Sequence, residues 1–225
     1  MGDTIRCLQC YADVTVLRHP DVGSAKLAAD ATSKPVLNAG DGAGEHPTQA
    51  LLDVFTMIDE LKDHGGLGGK TIVLLGDLKH GRTVHSLAKL IARSGISNVR
   101  LCYCSPDSLK MPQEVKDYVS ERGLEQVELK DLTEAIRECD VLYVTRVQKE
   151  RFETEASYKA VKNCYVINKE VLKNARDHMV VMHPLPRVGE ILEEVDDDPR
   201  AAYFRQMENG MFVRMAILAM VLGKR

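Results

Sequence analysis

"TIVLLGDLKHGRTVHSLAKLIARSGISNVRLCYCS", residues 71–105, decides the fold, and the rest of the chain is read outward from it. Its opening run, Ile72 to Leu75, is unbroken apolar sequence ended by Gly76-Asp77. Val84, Leu87, Ala88 and Ile91 then recur at steps of three and four, the spacing of a helix that buries one face. After the break at Ser94-Gly95, NVRLCYCS reads as a second strand. Strand, helix and strand in this order predict a parallel crossover unit. Apolar runs such as IVLL and, further on, VLYV suit strands covered on both faces by helices.

The same alternation continues downstream. PQEVKDYVSERG reads as a helix, VELKD as a strand, LTEAIREC as a helix and VLYVTRV as a strand, and MVVMH (179–183) is a last strand before a closing helix. Upstream, DTIRCLQCY is weakly helical, the VTVL of ADVTVLRHP reads as a short buried strand, VGSAKLAADAT as a small-residue helix and KPVLNAGD as another strand. In GDGAGEHPTQALLD (40–53) Pro47 suits the first turn of a helix, and Leu51, Leu52, Phe55, Ile58 and Leu61 carry that helix onward. HGGLGG (64–69) is the most linker-like stretch and marks a boundary between two units. The fold class is therefore α/β, with two parallel-sheet subdomains.

With 225 residues, the chain can hold one large domain or two small ones. A net charge of -3 and the lack of a basic cluster argue against a nucleic-acid partner. The start, MGDTIRCLQC, does not read as a secretion signal. MFVRMAILAMVL is short for a bilayer span and is interrupted by Arg214, so it reads as a buried helix and no membrane is implied. Cys7 and Cys10 form a CxxC pair and Cys102 and Cys104 a CxC pair, with Cys139 and Cys164 apart. Their spacing does not match a zinc ribbon, and buried free thiols in a reducing cytosol are the expected state.

Ligands of open parallel sheets sit beyond the carboxyl ends of the strands. Arg18-His19-Pro20 follows VTVL, Gly40 to His46 follows VLNA, DLKHGR (77–82) follows IVLLG, Arg146-Val147-Gln148 follows VLYVT, and HPLPR (183–187) follows MVVM. Arg18, Arg82 and Arg146 should thus border one crevice, with His46 and Gln49 on the first turn of a helix whose N-terminus favours anions. An arginine fork matches a carboxylate or phosphate with two parallel hydrogen bonds, so the ligands should carry several negative charges. GDLKHGRT is not a P-loop, and no GxGxxG follows IVLLG. There is no Ser-His-Asp set: His85 reads as a half-buried structural histidine, His19 as a strand-end hydrogen-bonding group and His64 as solvated. LEEVDDD (192–198) reads as a solvated acidic stretch, and the KER after Gln148 as a substrate loop.

Taken together, LRHP (17–20), NAGDGAGEHPTQALLD (38–53), GDLKHGRTVHSL (76–87), TRVQKER (145–151) and HPLPRVGEI (183–191) resemble the aspartate carbamoyltransferases, and the closing GMFVRMAILAMVLGKR is similar to the end of the fused eukaryotic pyrimidine multienzyme. The ornithine carbamoyltransferases share HPTQ but have a cysteine where this chain has Pro184 and an SMG-type loop where it has RVQKER, so the aspartate reading is preferred. The resemblance implies transfer of a carbamoyl group from carbamoyl phosphate to L-aspartate in pyrimidine (UMP) synthesis. It implies no cofactor and no metal, a cytoplasmic location, and a homotrimer or a place in a larger multienzyme. It divides the chain into a partial carbamoyl-phosphate-binding domain, 1–63, completed by a helix over 208–225, and an aspartate-binding domain, 64–207. By the same resemblance Arg18 contacts the phosphate and carbonyl oxygen of carbamoyl phosphate, His46 that carbonyl oxygen and Gln49 the carbamoyl amide. The backbone at Leu185 and Pro186 receives the carbamoyl NH2. Arg82 binds the α-carboxylate of aspartate, and Arg146, oriented by Gln148, its β-carboxylate.

One departure from the family pattern bears on activity. Members carry an upstream Ser-Thr-Arg-Thr segment that grips the phosphate and a loop with a Ser and a Lys that reaches a neighbouring subunit's site, whereas this sequence opens at what would be the following helix. The expectation is a weakened hold on carbamoyl phosphate and a last helix short of partner surface. A non-catalytic dicarboxylate-binding fragment or scaffold domain is the alternative function.

Overall fold

The computed structural model describes residues 1–42 and 44–224; Ala43 of the glycine loop and Arg225 of the expected closing helix lie outside the described residues, as does the side chain of Glu150 in the KER loop. The chain begins with α1 (Gly2–Leu8), then β1 (Thr15–His19), α2 (Ser24–Asp30), β2 (Val36–Asp41) and α3 (Pro47–Glu60). A second unit follows with β3 (Thr71–Leu75), α4 (Arg82–Arg93), β4 (Arg100–Cys104), α5 (Gln113–Ser120), β5 (Glu125–Leu129), α6 (Leu132–Arg137) and β6 (Val141–Val144). It continues through α7 (Glu155–Val161), α8 (Lys169–Leu172) and β7 (Val180–Met182) to α9 (Tyr203–Val221). The parallel α/β class read from residues 71–105 is what the structure shows.

β1 and β2 pair in parallel as a two-stranded sheet, and the other five strands form a parallel sheet in the order β5-β4-β3-β6-β7. The chain starts this larger sheet in its middle, builds outward to β5, and crosses back to lay β6 on the other side of β3. The strand order therefore reverses between β3 and β6, and such a switch point opens a crevice at the strand carboxyl ends. Gly76 makes the close approach there possible: its φ is +111°, and a Cβ would lie 2.4 Å from the Thr145 carbonyl oxygen.

The pleat divides the core. Ile72, Leu74, Leu101, Tyr103, Val141 and Tyr143 face Met57, Leu87, Ile91 and Val115 on one side. Val73, Leu75, Cys102, Cys104, Leu142 and Val144 face Ala135, Ile136, Ile167 and Leu172 on the other. Alternate residues of each strand are thus buried against different helices, which is why these strands read as unbroken apolar runs.

Four sequence expectations need correction. β1 is not buried: Val16 is 59% exposed, because a two-stranded sheet cannot cover both faces of its strands. α9 starts at Tyr203 rather than 208 and is not a buried helix. It buries Tyr203, Gln206 and Gly210 against the rest of the fold, while Met211, Phe212, Met215 and Met220 are exposed. One face packs on α3, where a Cβ on Gly210 would meet Leu52 at 3.2 Å, and the other apolar faces have no partner among the described residues. The cysteines divide: Cys102, Cys104 and Cys139 are buried, but Cys7, Cys10 and Cys164 are exposed. α1 buries only Ile5, so Cys7 on it faces outward, and Cys10 lies in the turn that follows. The acidic stretch is no simple solvated run either, since Asp196 accepts bonds from the Arg187 guanidinium and the Tyr203 hydroxyl, and Val195 is buried.

The readings of His19 and His64 agree with their surroundings, and His85 is structural but buried rather than half-buried. His85 is buried with Nε2 2.7 Å from the Leu78 carbonyl oxygen. His19 Nδ1 accepts from the Asp21 amide at 3.1 Å. His64 is exposed and stacks on the His178 ring with centroids 5.2 Å apart.

Candidate active site

A cavity of about 720 Å³ lies at the carboxyl ends of β1, β3, β6 and β7 and the N-terminus of α3. Arg18, His46, Gln49, Arg82, Arg146, Gln148, Leu185 and Pro186, each singled out from the sequence, all line it. They come from five separate segments, and the strand-end rule is what collects them.

Each wall is fixed locally. Arg18, the penultimate residue of β1, is left exposed by the two-residue pleat and lines the cavity. The glycine loop lets the chain turn tightly below it: Gly42 has φ +58°, and a Cβ would lie 2.1 Å from the Pro20 carbonyl oxygen. The Arg82 guanidinium lies across the same loop, donating from Nη1 to the Gly42 carbonyl at 2.8 Å, with room for it only because Gly40 has no side chain. Burial, then the Arg18 and Arg151 charges, hold Arg82 below the usual guanidinium range. Four arginines, Arg18, Arg82, Arg146 and Arg151, border one cavity, an arrangement made for anions.

His46 is the N-cap residue of α3, with its amide donating to Ser86 Oγ at 2.8 Å. Ser86, on α4, donates in turn to Glu45, whose other oxygen accepts from Lys89 Nζ at 2.6 Å. A hydroxyl from the large-sheet unit thus sets the start of the helix that carries His46 and Gln49. Replacing Ser86 with alanine orphans a half-buried N–H, and the expected cost is about 1 kcal/mol of stability, read from urea unfolding. The imidazole is pushed down to about 4, first by burial and then by Arg82, Arg18 and Arg214, so it is neutral at physiological pH. Its Nδ1 is buried with no hydrogen-bond partner among the described residues, and the ring lines the cavity. A neutral imidazole surrounded by cations can donate one hydrogen bond to a carbonyl oxygen and cannot act as an acid there.

On the opposite wall, His183 Nδ1 accepts from the Leu185 amide at 2.8 Å, which leaves the proton on Nε2 to be donated to Glu190 at 2.7 Å. This pair holds the turn at Leu185, where φ is +51° and the Leu185–Pro186 peptide is cis. Gln148 donates to the His80 carbonyl at 3.3 Å. His80 is held by the fully buried Asp77, 3.1 Å from Nδ1, and by the edge of Phe152. Sequence reasoning missed the groups behind this surface, namely Asp53, Tyr143 and Gln206. The helix pattern hid Asp53: Leu51, Phe55 and Ile58 of the apolar stripe are exposed, and α3 instead buries Ala50, Leu52, Asp53 and Met57.

Comparison with known proteins gives a consistent result. The family model described as "Aspartate/ornithine carbamoyltransferase, Asp/Orn binding domain" matches residues 68–221, and the one described as "Aspartate/ornithine carbamoyltransferase, carbamoyl-P binding domain" matches residues 1–59. The multifunctional protein CAD of Squalus acanthias is 53% identical over 99% of this chain, which spans only 10% of that protein. The aspartate carbamoyltransferase catalytic subunit of Thermococcus kodakarensis is 52% identical over 99% of this chain and 70% of its own length. The crystal structure of aspartate transcarbamoylase from Trypanosoma cruzi in complex with carbamoyl phosphate and aspartate superposes with a TM-score of 0.87 at 46% identity, covering 96% of this chain and 69% of that one.

Proposed function

The chain belongs to the aspartate/ornithine carbamoyltransferase family, and from that premise we propose that it transfers the carbamoyl group of carbamoyl phosphate to the amino group of L-aspartate, giving N-carbamoyl-L-aspartate and phosphate. The observation that carries this reading is the cavity in which a neutral His46 and Gln49 sit among Arg18, Arg82, Arg146 and Arg151. Carbamoyl phosphate and aspartate together bring a phosphate and two carboxylates, so cations from several walls match them. The same cations disfavour ornithine, whose side-chain ammonium would be repelled.

In this reading Arg18 holds the phosphate and, with His46, the carbonyl oxygen. Gln49 and the backbone at Leu185 and Pro186 receive the carbamoyl NH2. Arg82 binds the α-carboxylate of aspartate and Arg146, beside Gln148, the β-carboxylate. The aspartate amine attacks the carbamoyl carbon, negative charge gathers on the carbonyl oxygen between Arg18 and His46, and the bond to phosphate breaks as the departing phosphate takes up the proton the amine loses. Orientation of two bound reactants supplies up to about 7–11 kcal/mol of the barrier reduction. We assign residues 1–63 and 208–225 to the carbamoyl-phosphate half and 64–207 to the aspartate half. A homotrimer or a larger multienzyme, pyrimidine synthesis and a cytoplasmic location belong to the same proposal. The buried thiols of Cys102, Cys104 and Cys139 support a reducing compartment.

The test is formation of carbamoyl aspartate by the purified chain given carbamoyl phosphate and L-aspartate, with L-ornithine as the control acceptor. Product with aspartate alone is the expected result. Tight aspartate binding by a folded sample without product would overturn the catalytic assignment and favour the dicarboxylate-binding alternative. Product with ornithine would overturn the acceptor.

A further inference from the structure

Gln49 ends in a carboxamide whose two ends have opposite hydrogen-bonding character, so a ligand meets a donor or an acceptor according to how the amide is turned. Asp53, one helical turn along α3, makes that choice. Its carboxyl is fully buried and its Oδ1 accepts from Gln49 Nε2 at 2.9 Å. The same Oδ1 accepts from Gln206 Nε2 on α9 at 2.7 Å, and Oδ2 accepts from the Tyr143 hydroxyl on β6 at 2.7 Å. Gln206 is itself fixed, because its Oε1 accepts the His183 amide at 3.0 Å and a backbone N–H can only donate. Turning Gln49 the other way would set its carbonyl oxygen against a buried carboxylate oxygen, which is repulsive, removes one of the two donors to Asp53 Oδ1 and leaves the Gln49 oxygen facing no donor. Among the described residues no donor is bonded to Gln49 Oε1, and the side chain lines the cavity.

We propose that Asp53 is a positioning residue that fixes Gln49 with its carbonyl end toward the cavity, so that the site selects a ligand offering an N–H at that point over one offering a methyl group. The ligand identity rests on the carbamoyl-phosphate reading above. Acetyl phosphate is the matched comparison, since it carries CH3 where carbamoyl phosphate carries NH2. Asp53 also reaches the Leu185 turn through Gln206 and His183, so one carboxyl orients both walls that would receive the carbamoyl NH2.

The experiment uses the full chain with Asp53→Leu, which removes the acceptor, and Asp53→Asn, whose Oδ1 can still accept from both glutamines while Nδ2 donates to Tyr143. At about pH 8.5, where Asp53 is ionised, the Gln49 side-chain amide is observed by ¹H–¹⁵N NMR and both acyl phosphates are titrated by calorimetry. In the unaltered chain one Gln49 amide proton should be shifted downfield and protected. Carbamoyl phosphate should bind about tenfold tighter than acetyl phosphate, the worth of one hydrogen bond to a neutral donor. Asp53→Asn should keep both properties, and Asp53→Leu should lower the ratio several-fold. A free-amide signal for Gln49 in the unaltered chain, or an undiminished ratio in Asp53→Leu, would overturn the proposal. If Asp53→Leu does not fold, the unaltered chain and Asp53→Asn decide, since a lost ratio in folded Asp53→Asn overturns it as well. If neither phosphate binds while the protected Gln49 signal is present, the carbamoyl reading falls and the positioning by Asp53 stands.

Discussion

Replacing His46 with alanine should lower kcat for carbamoyl transfer by about 10²–10³-fold, the loss found when one donor to a developing oxyanion is removed. The dissociation constant for aspartate should change far less. The asymmetry follows from where the side chain sits. His46 caps α3 on the carbamoyl side of the cavity, whereas of the arginines assigned to the aspartate carboxylates Arg82 opens α4 and Arg146 follows β6. An interaction that strengthens only as charge gathers on the carbonyl oxygen appears in kcat, and one made equally in the ground state appears in KM. The depressed imidazole adds a second readout. Protonation of His46 falls at about 4 rather than at 6.5, so it should contribute no inflection to the kcat profile near neutrality. An unchanged kcat in a folded His46→Ala chain would remove His46 from the reaction.

How much of this was legible in the sequence depends on the kind of information each feature carries. The large sheet could be read because its strands are buried on both faces, so that IVLL and VLYV advertise themselves without any knowledge of their partners. The site could be read because parallel sheets deliver the residues at and after their strand ends to one edge, and the edges of the two sheets bring Arg18 together with Arg82, Arg146 and Leu185. What failed was judgement of how much covering surface an apolar segment has. VTVL and MFVRMAILAMVL are both apolar, yet β1 lies in a two-stranded sheet and α9 packs by one face only. Composition reports what a segment could bury, and neighbours decide what it does bury.

The groups behind the cavity were harder to see for a different reason. Asp53, Tyr143, Gln206 and His183 lie on four separate elements and meet only when the fold is complete. No spacing rule in one dimension links residue 53 to residue 206. The apolar stripe Leu51, Phe55 and Ile58 pointed to the opposite face of α3, so nothing marked Asp53 as a buried charge in need of partners. The Arg187–Asp196–Tyr203 cluster was hidden in the same way inside a stretch that reads as surface acid.

Asp53 should also make the chain less stable as the pH rises from about 4 to about 7, and Asp53→Asn should remove that trend. Burial pushes the carboxyl up to about 7 from an ordinary value of 3.8; bonds from Tyr143, Gln206 and Gln49 and the Arg214 charge oppose the rise without cancelling it. Between those values the folded chain keeps a proton that the unfolded chain has released. A group whose folded value is raised contributes its full stabilisation below the unfolded value and loses it as the pH passes through the folded one. The span corresponds to a contribution on the order of 4 kcal/mol, at 1.36 kcal/mol per pH unit. The asparagine preserves the acceptor for both glutamines and offers Tyr143 a donor, so it removes the charge without removing the network. Relative to the unaltered chain, Asp53→Asn should therefore gain stability steadily across this window in urea unfolding, and the difference should level off above it. Taking the difference between the two chains cancels the titration of every other carboxylate. A flat difference would mean that Asp53 is ionised throughout the window, and that its three donors and Arg214 outweigh its burial.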